Sequence, residues 1–499
     1  MNDRLCSKNT TSPDIIILGN SISGLSLAYS LIKESPDLNI VVVGPKGRKG
    51  SATTAAGAMI NAFGELTLNQ LSFPAFRERF ELAANAMPLW DNLCAELSEY
   101  SDRPFNIKWG SYVISNAKGR DGEKHVLQYI NKISSEYKYE SSIIDPDSIK
   151  WYSPAPDAVS NQIISIPDGR VNPHEVLAAY ECALTALGVK LIDDKASQFK
   201  IAETSVKHQV YISEHKQWLA AEKIVFANGT FAQQLIDQAP VLQKQTPRLL
   251  WGAGSALRIT FPDWIHQYGG LEPNIFNMDK VIRTIDRGGA CGLHVVPRDD
   301  GSFYVGASSG VWMEPEDKPR LHAINGISHA VIDEISKAFF YGTIELIGNG
   351  FRPVTVDCFP LIGESDISGI WFSNGFKRDG FTCSASVSPK LAKAILGQKN
   401  ELPEIFKPSR KLISYKSKDI AISEAAVNHA AGDMMHGLHV PSFAYDSYIQ
   451  NKQISISKIY QQRNIEDFGI HPEVLHFYEN DEFFTKINHP KGKAIYADS

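Results

Sequence analysis

The sequence lacks long hydrophobic runs and long runs of like charge. Its first apolar run, Ile15–Leu18, is only four residues long and follows a polar opening, so we expect neither a signal peptide nor a membrane span. The 56 acidic residues outnumber the 50 basic residues and give a net charge of -6. This balance disfavours electrostatically driven nucleic-acid binding.

Cysteine is also scarce and scattered. The six cysteines are Cys6, Cys94, Cys182, Cys291, Cys358 and Cys383. They form no CxxC pair, and no histidine lies beside any of them at metal-ligand spacing. His429, His436 and His439 lie close together, but without a cysteine or carboxylate at regular spacing. We therefore expect reduced thiols in a cytoplasmic protein, and no metal site.

The composition that remains is that of a globular protein, with 43% hydrophobic and 21% charged residues. At about 150 residues per domain, the length predicts two to four domains. Asp14–Leu18 predicts a buried strand, the next residues have helical spacing, and Leu38–Val43 predicts a second buried strand. Together they form a βαβ unit of the length that dinucleotide binding requires.

The loop between the first strand and the helix is a variant of the glycine-rich GxGxxG loop. It runs from Gly19 to Gly24, with Ser21 at the position of the middle glycine of GxGxxG. Serine is small enough to let the backbone approach a pyrophosphate at the helix N-terminus. By itself such a loop is weak evidence, and the surrounding βαβ unit strengthens it.

The acid expected after the second strand, where it would hold ribose hydroxyls, is replaced by Gly44. Lys46, Arg48 and Lys49 follow it. These bases could accept a 2′-phosphate, which would indicate NADP. Alternatively, the ribose is bound through backbone or water, and this motif does not decide between the two.

Later segments repeat these patterns. Lys223–Ala227 and Gly369–Ser373 predict strands that each end in an Asn-Gly turn, whereas Gly254–Thr260 and Ser302–Val305 alternate as antiparallel strands do. We therefore predict an α/β fold with a discontinuous Rossmann-like nucleotide-binding domain, an inserted antiparallel-sheet substrate domain and a C-terminal extension. The predicted ranges are 13–64, 156–239 and 349–398 for the first domain, 65–155 and 240–348 for the second, and 399–499 for the extension.

Two smaller expectations concern local structure. Asp168-Gly-Arg170 reads as a structural turn that precedes a helix from His174, and Ser384–Leu396 reads as a helix. In the extension only short helical patterns are visible, such as Ser423–Met434.

Several motifs, taken in order, carry a family resemblance. They are the small-residue loop 51–59, Ala227-Asn-Gly-Thr230, His294-Val-Val-Pro297-Arg298, Tyr304-Val-Gly306, the segment 350–363 and Asn374–Gly380. Residues 350–363 are similar to a GxRPxTxDxxPxIG signature. Over roughly residues 13–398 the chain resembles the D-amino acid oxidase-like (DAO) family of FAD-dependent oxidoreductases, and within it the glycine oxidases. Ser21 and Gly44 depart from the family pattern, and both departures concern the adenosine end of the cofactor.

The resemblance implies FAD as the cofactor. The residues it implies for FAD binding are Gly19, Ser21, Ile22, Ser23, Gly24, Gly44, Pro45, Ser51, Ala52, Ala56, Gly57, Ala58, Met59, Ser197, Ala227, Asn228, Gly229, Arg352, Gly375, Phe376, Lys377, Arg378, Asp379, Gly380 and Phe381. Covalent attachment is not expected, since Cys358, the one cysteine in the signature, lies among turn and strand residues.

The resemblance also implies two arginines at the reaction site. Arg352 matches the arginine that holds the substrate carboxylate in glycine oxidase-like enzymes, and Arg378 matches a second arginine. Guanidinium groups bind carboxylates through two parallel hydrogen bonds, although a structural salt bridge is an alternative role for each. The helix after the Gly375 turn would place its positive end near the flavin.

These observations predict an FAD-dependent oxidase or dehydrogenase that transfers a hydride from the α carbon of an amino acid or amine to flavin N5. The electron acceptor could be O₂. We keep two alternatives open: a flavin-binding subunit of a multi-protein complex, and an NADP-linked dehydrogenase. The extension is expected to serve assembly, as in a homo-oligomer, or to cover the active site, rather than to bind flavin.

Overall fold

The computed structural model describes residues 12–116, 122–202, 207–262, 264–265, 273–285, 292–435 and 438–487. Cys6, Cys291 and His436 lie outside the described residues. The strands are β1 Ile15–Leu18, β2 Ile40–Val43, β3 Met59–Ile60, β4 Lys108–Asn116, β5 Ser142–Ile144, β6 Ser160–Arg170, β7 Lys190–Ile192, β8 Ala196–Lys200, β9 His208–Ile212, β10 Gln217–Ala221, β11 Lys223–Phe226, β12 Leu249–Thr260, β13 Val281–Thr284, β14 His294–Pro297, β15 Phe303–Gly306, β16 Gly310–Trp312, β17 Thr343–Thr355, β18 Leu361–Glu364 and β19 Ile370–Asn374.

The α-helices are α1 Ile22–Glu34, α2 Pro74–Ala84, α3 Trp90–Ser98, α4 Gly122–Glu136, α5 Pro173–Ala186, α6 Ala232–Ile236, α7 Pro240–Gln245, α8 Leu321–Ala330, α9 Gly380–Ile395, α10 Lys418–Met435, α11 Tyr445–Gln462, α12 His476–Glu479 and α13 Asp481–Lys486. None of the described helices is long and apolar enough to cross a membrane.

The nucleotide-binding part is a six-stranded sheet in the order β18-β19-β11-β1-β2-β7. In this order, each strand from β19 to β7 is parallel to its neighbour, whereas β18 pairs with β19 in antiparallel orientation. All residues of β1 and β2 are buried. Both strands are unbroken runs of Ile, Val and Leu, which is typical of parallel strands covered by helices on both faces. Helix α1 packs against α9 and α5 on one side. The predicted βαβ unit is thus confirmed.

The larger sheet has ten strands. Eight of them follow the order β16-β12-β15-β14-β13-β4-β6-β3, and the other two are β17, which pairs with β12, and β5, which pairs with β6. The predicted antiparallel pairing of Gly254–Thr260 with Ser302–Val305 is confirmed by the β12–β15 ladder. Two long strands, β6 and β17, pair within this sheet along most of their length. Strand β17 spans the predicted boundary at residue 349, and β6 pairs in this sheet although it lies in the predicted range 156–239 of the first domain.

Three local expectations need correction. Asp168–Arg170 is the end of strand β6 and not a turn, because it pairs with β3 and β4. Helix α9 begins at Gly380, four residues before the sequence suggests, so its N-terminus adjoins the Gly375 turn directly. In the extension, α10 and α11 have 18 residues each and are longer than the short predicted patterns.

The extension shares a hydrophobic core with the larger sheet. Leu250, Val354 and Val356 lie in one buried cluster with extension residues such as Tyr460 and Phe477. Apolar residues of the extension such as Val474, Phe477 and Tyr478 therefore pack within this chain, whereas Phe443 is exposed.

Candidate active site

A cleft of about 530 Å³ lies where the central parallel strands end. Its walls include the loops after β1, β2 and β11, the end of β17 and the turn from β19 to α9. This edge is where open α/β sheets bind ligands. The cleft therefore brings together sequence motifs separated by more than 300 residues along the chain, for example Ser21 and Phe381.

Two glycines shape the loop between β1 and α1. A Cβ on Gly19 would lie 2.4 Å from the carbonyl oxygen of Ala227, and its φ of +115° also favours glycine. A Cβ on Gly24 would lie 1.8 Å from the Gly19 carbonyl oxygen. Ser21 Oγ lies 2.9 Å from Ser51 Oγ and does not cap α1, so the first-turn N–H groups remain directed to the cleft.

Two of the three basic residues after β2, Arg48 and Lys49, have partners within the chain. Arg48 donates to the Asn20 carbonyl oxygen at 2.9 Å and forms a salt bridge with Glu181. Lys49 Nζ lies 3.3 Å from Asp317 and is largely exposed. A 2′-phosphate would have to compete with Glu181 for Arg48, which weakens the NADP alternative. At Gly44, a Cβ would come within 2.5 Å of the Asn20 side chain.

Most of the residues implied by the resemblance line the cleft. Four do not: Gly24, Ser197, Gly375 and Asp379. Gly24 instead allows α1 to approach the loop, and the Ser197 carbonyl accepts a hydrogen bond from Gln238. Gly375 has φ +71° in the turn, and Asp379 faces the neighbouring cavity, where it pairs with Arg79 at 2.6 Å.

Arg352 lies on β17 at the cleft. Its Nη2 donates to the carbonyl oxygens of Ala253 at 3.2 Å and Ser308 at 3.0 Å, and to Ser309 Oγ at 3.2 Å. A Cβ on Gly254 would lie 2.8 Å from Nη1, so glycine there makes room for the guanidinium. These hydrogen bonds orient the Arg352 guanidinium at the cleft, where a guanidinium can bind an anion.

His294 lines the same cleft and stacks on Tyr304 with ring centroids 5.7 Å apart. Burial, followed by the nearby Arg283, lowers the pKa of His294 to about 4. Its Nδ1 lies 3.1 Å from the Gly292 carbonyl oxygen, so Nδ1 carries the proton of the neutral ring. His294 therefore adds no positive charge beside Arg352 at neutral pH.

Arg378 has a different setting, because it lies between two carboxylates. Its Nη1 is 3.3 Å from Glu65, and its Nη2 is 3.1 Å from Glu473. Glu473 also binds Lys377 Nζ at 2.8 Å, and Glu65 binds Arg283 at 2.7 Å. Arg378 thus forms salt bridges and also lines the cleft, and its part in the reaction stays a prediction.

This ion-pair network contains residues that the sequence did not indicate, namely Glu65, Arg283 and Glu473. Burial opposes the charge of Glu473, but Lys377 and Arg378 lower its pKa to about 2. Arg283 and Arg378 likewise hold the pKa of Glu65 far below its usual range, against its burial. No local motif marks these residues, since their partners are distant along the chain. Because Glu473 belongs to the extension, the extension reaches the turn that carries Lys377 and Arg378.

The other candidate groups are structural. Asp168 accepts the backbone N–H groups of Ala62, Phe63 and Gly64, and its burial raises its pKa to about 6. Burial raises the pKa of the Cys358 thiol to about 12, which keeps it protonated. Among the described residues, no group of three or more His, Cys, Asp or Glu side chains could hold a metal ion.

The residues of the cleft fit an extended dinucleotide such as FAD. The Gly19 loop and the α1 N-terminus offer N–H groups to a pyrophosphate. Within the described part of the chain, Asn228 Oδ1 and Thr230 Oγ1 are buried without a hydrogen-bond partner, and both residues line the cleft. At the other end of the cleft, α9 begins at Gly380. The side chain of the preceding residue, Asp379, makes no capping hydrogen bond to this helix.

Comparison with known proteins supports this interpretation. Residues 14–393 match the model of the family described as DAO, FAD dependent oxidoreductase. Glycine oxidase from Bacillus licheniformis is 24% identical over 411 residues, which are 80% of this chain and 97% of that protein. The bifunctional protein ThiO/ThiG from Nostoc sp. is 23% identical over 394 residues, or 78% of this chain. The match spans only 53% of the ThiO/ThiG protein, so the chain corresponds to about half of its length.

The fold is also similar to a solved structure. The crystal structure of glycine oxidase from Geobacillus kaustophilus superposes with a TM-score of 0.65 over 80% of this chain and 99% of that chain, at 17% identity. At this identity the similarity concerns the fold alone. The predicted family resemblance is confirmed, and the last hundred residues extend beyond the family match.

Proposed function

The chain belongs to the DAO family of FAD-dependent oxidoreductases, and from this premise we propose that it oxidises the C–N bond of an amino acid or related amine. The observation that carries the proposal is the position of Arg352, a guanidinium that lines the cleft and is held there by hydrogen bonds to Ala253, Ser308 and Ser309. A guanidinium at this place can bind a substrate carboxylate through two parallel hydrogen bonds. Bound FAD supplies the acceptor for a hydride.

The protein's own contribution is positioning and electrostatics. Arg352 anchors the substrate carboxylate and orients the α carbon. Bound FAD would accept the hydride from the α carbon of a substrate whose amine is neutral; the nitrogen lone pair would form the C=N bond and a proton would leave the nitrogen. Water then converts the imine to a carbonyl compound and free amine or ammonia. The N-terminus of α9, where Gly380 lines the cleft, would stabilise negative charge on a reduced flavin bound there.

The proposal is tested by turnover of the purified chain with a panel of amino acids and N-substituted amino acids. Ammonia or amine and the 2-oxo acid should appear in equal amounts, and in air hydrogen peroxide would identify O₂ as the acceptor. A chain that retains FAD but converts no member of the panel, alone or with an artificial electron acceptor, would instead support the role of a flavin-binding subunit.

A further inference from the structure

A second cavity, of about 830 Å³, adjoins the cleft. The two share Asn61, Glu65, Lys377 and Arg378 in their walls. We call this cavity the outer chamber. One of its walls is built by the extension, through Tyr415, helix α10 and the segment 471–473. The residues of this wall lie beyond residue 393, where the match to the family model ends.

The charged groups where the two cavities meet are compensated. Arg378 lies between Glu65 and Glu473, and Arg79 pairs with Asp379 at 2.6 Å. Farther along the extension, Glu424 accepts from Lys416 at 2.6 Å. Glu123, Asp333 and Glu334 also line the chamber, so the proposal rests on its apolar wall and not on an absence of charge.

The remaining wall contains many apolar side chains. Phe76 and Phe80 come from α2, on one side, and Val427, Ala431 and Met434 come from α10. Apolar side chains that line a cavity favour apolar ligand groups, because contact with them removes surface from water. A cavity of this size is in the range, roughly 300–1,000 Å³, that holds drug-sized ligands. A free small amino acid anchored at Arg352 would leave the outer chamber unused.

We infer that the outer chamber receives the distal part of the substrate. The substrate class is then an amino acid or amine whose side chain or nitrogen carries an extended apolar group of several carbons. The reacting carbon lies in the cleft near Arg352, and the apolar group extends past the Arg378 ion pairs toward α10. This inference rests on the proposed function and specifies its substrate.

Binding of unreactive analogues tests the chamber without turnover. N-acylglycines from acetyl to octanoyl carry the carboxylate and an acyl chain of increasing length, and their binding to the FAD-containing protein is measured from the change in flavin absorbance. If the chain is buried in the chamber, the dissociation constant should fall by up to about fourfold per added methylene. A dissociation constant that does not fall with chain length would overturn the inference.

A substitution in α10 tests whether the acyl chain binds in the outer chamber. Ala431→Trp places an indole in the chamber, so it should reduce the preference for octanoylglycine over acetylglycine by at least about tenfold. The matched control is Ile454→Trp on α11, because Ile454 is 55% exposed and does not line the chamber. Ala431→Leu gives a milder version if the tryptophan variant fails to retain FAD. An unchanged preference in both Ala431 variants would contradict the placement.

The two proposals fail in different ways. A protein that binds long acylglycines tightly but oxidises no amine contradicts the proposed function and leaves the chamber in place. A protein that oxidises glycine but binds every acylglycine equally supports the function and overturns the inference.

Discussion

Arg410 of the extension is bound to Asp357 of the family signature. Its Nη2 lies 3.0 Å from each carboxylate oxygen of Asp357, whose side chain is completely buried. The N–H of Ile413, also in the extension, donates to the same carboxylate at 3.1 Å. The extension is therefore attached to the segment that carries Arg352, and not merely appended after the flavin motifs.

Removing Arg410 should strongly destabilise the protein. Arg410→Ala leaves the Asp357 carboxylate buried without its cation, and breaking a buried ion pair from one side costs about 3–5 kcal/mol. We expect a loss of this size in urea unfolding, accompanied by a lower flavin content. Lys407→Ala is the control, because Lys407 forms an exposed pair with Asp366 at 3.2 Å and should cost less than about 1 kcal/mol. Equal effects of the two substitutions would contradict this role of the Arg410 pair.

Gly19→Ala should abolish FAD retention. Its Cβ would lie 2.4 Å from the Ala227 carbonyl oxygen, so the loop under the pyrophosphate must move. Gly188→Ala is a matched control, since Gly188 also has positive φ, +82°, but a Cβ there meets no atom of the described structure within 4 Å. Both variants bear backbone strain, and only Gly19→Ala should purify without the flavin absorbance bands. Retention of FAD by Gly19→Ala would refute the assignment of this loop.

Arg352→Lys should raise the KM for a carboxylate substrate while the flavin content stays nearly constant. Lysine keeps the charge but loses the two parallel N–H groups, which puts about 1.5–3 kcal/mol of charge-assisted hydrogen bonding at risk. That corresponds to roughly ten- to a hundredfold in kcat/KM. Steady-state kinetics with the best substrate of the panel measure this effect. Unchanged kinetics would mean that Arg352 is structural or that the substrate lacks a carboxylate.

His294 should make stability depend on pH. Its pKa of about 4 in the folded protein is below the usual value of 6.5, so between these values the unfolded chain binds the proton more strongly. Stability contributed by the neutral ring is complete above pH 6.5 and is lost as the pH falls toward 4. Wild type should therefore lose up to about 3 kcal/mol more than His294→Gln over this interval. Urea unfolding at several pH values tests this, with exposed His439→Gln as the control that keeps the wild-type slope.

The nucleotide-binding unit could be predicted because its signals are local. Strand β1, the glycine loop, helix α1 and strand β2 follow one another within about thirty residues, and each has its own periodicity. The signature around Arg352 is likewise one continuous stretch. The sequence therefore indicated both the position of the cleft and the family.

The ion-pair network could not be predicted in the same way. Glu473 is 95 residues from Arg378, and Glu65 is 313 residues from it. Such pairs depend on how the extension folds back over the larger sheet, which leaves no periodic or spaced pattern in the sequence. For the same reason the extension appeared separate, and the pairing of β6 and β17 in the larger sheet was not expected from the sequence.

The central claim is that bound FAD takes a hydride from the α carbon of an amine substrate. Its most direct test is anaerobic stopped-flow mixing of the purified protein with the best amine of the panel, followed by flavin absorbance. The account predicts that the oxidised flavin bands bleach and that deuterium at the α carbon slows the bleaching. If no amine of the panel bleaches a flavin that dithionite reduces readily, the claim is wrong.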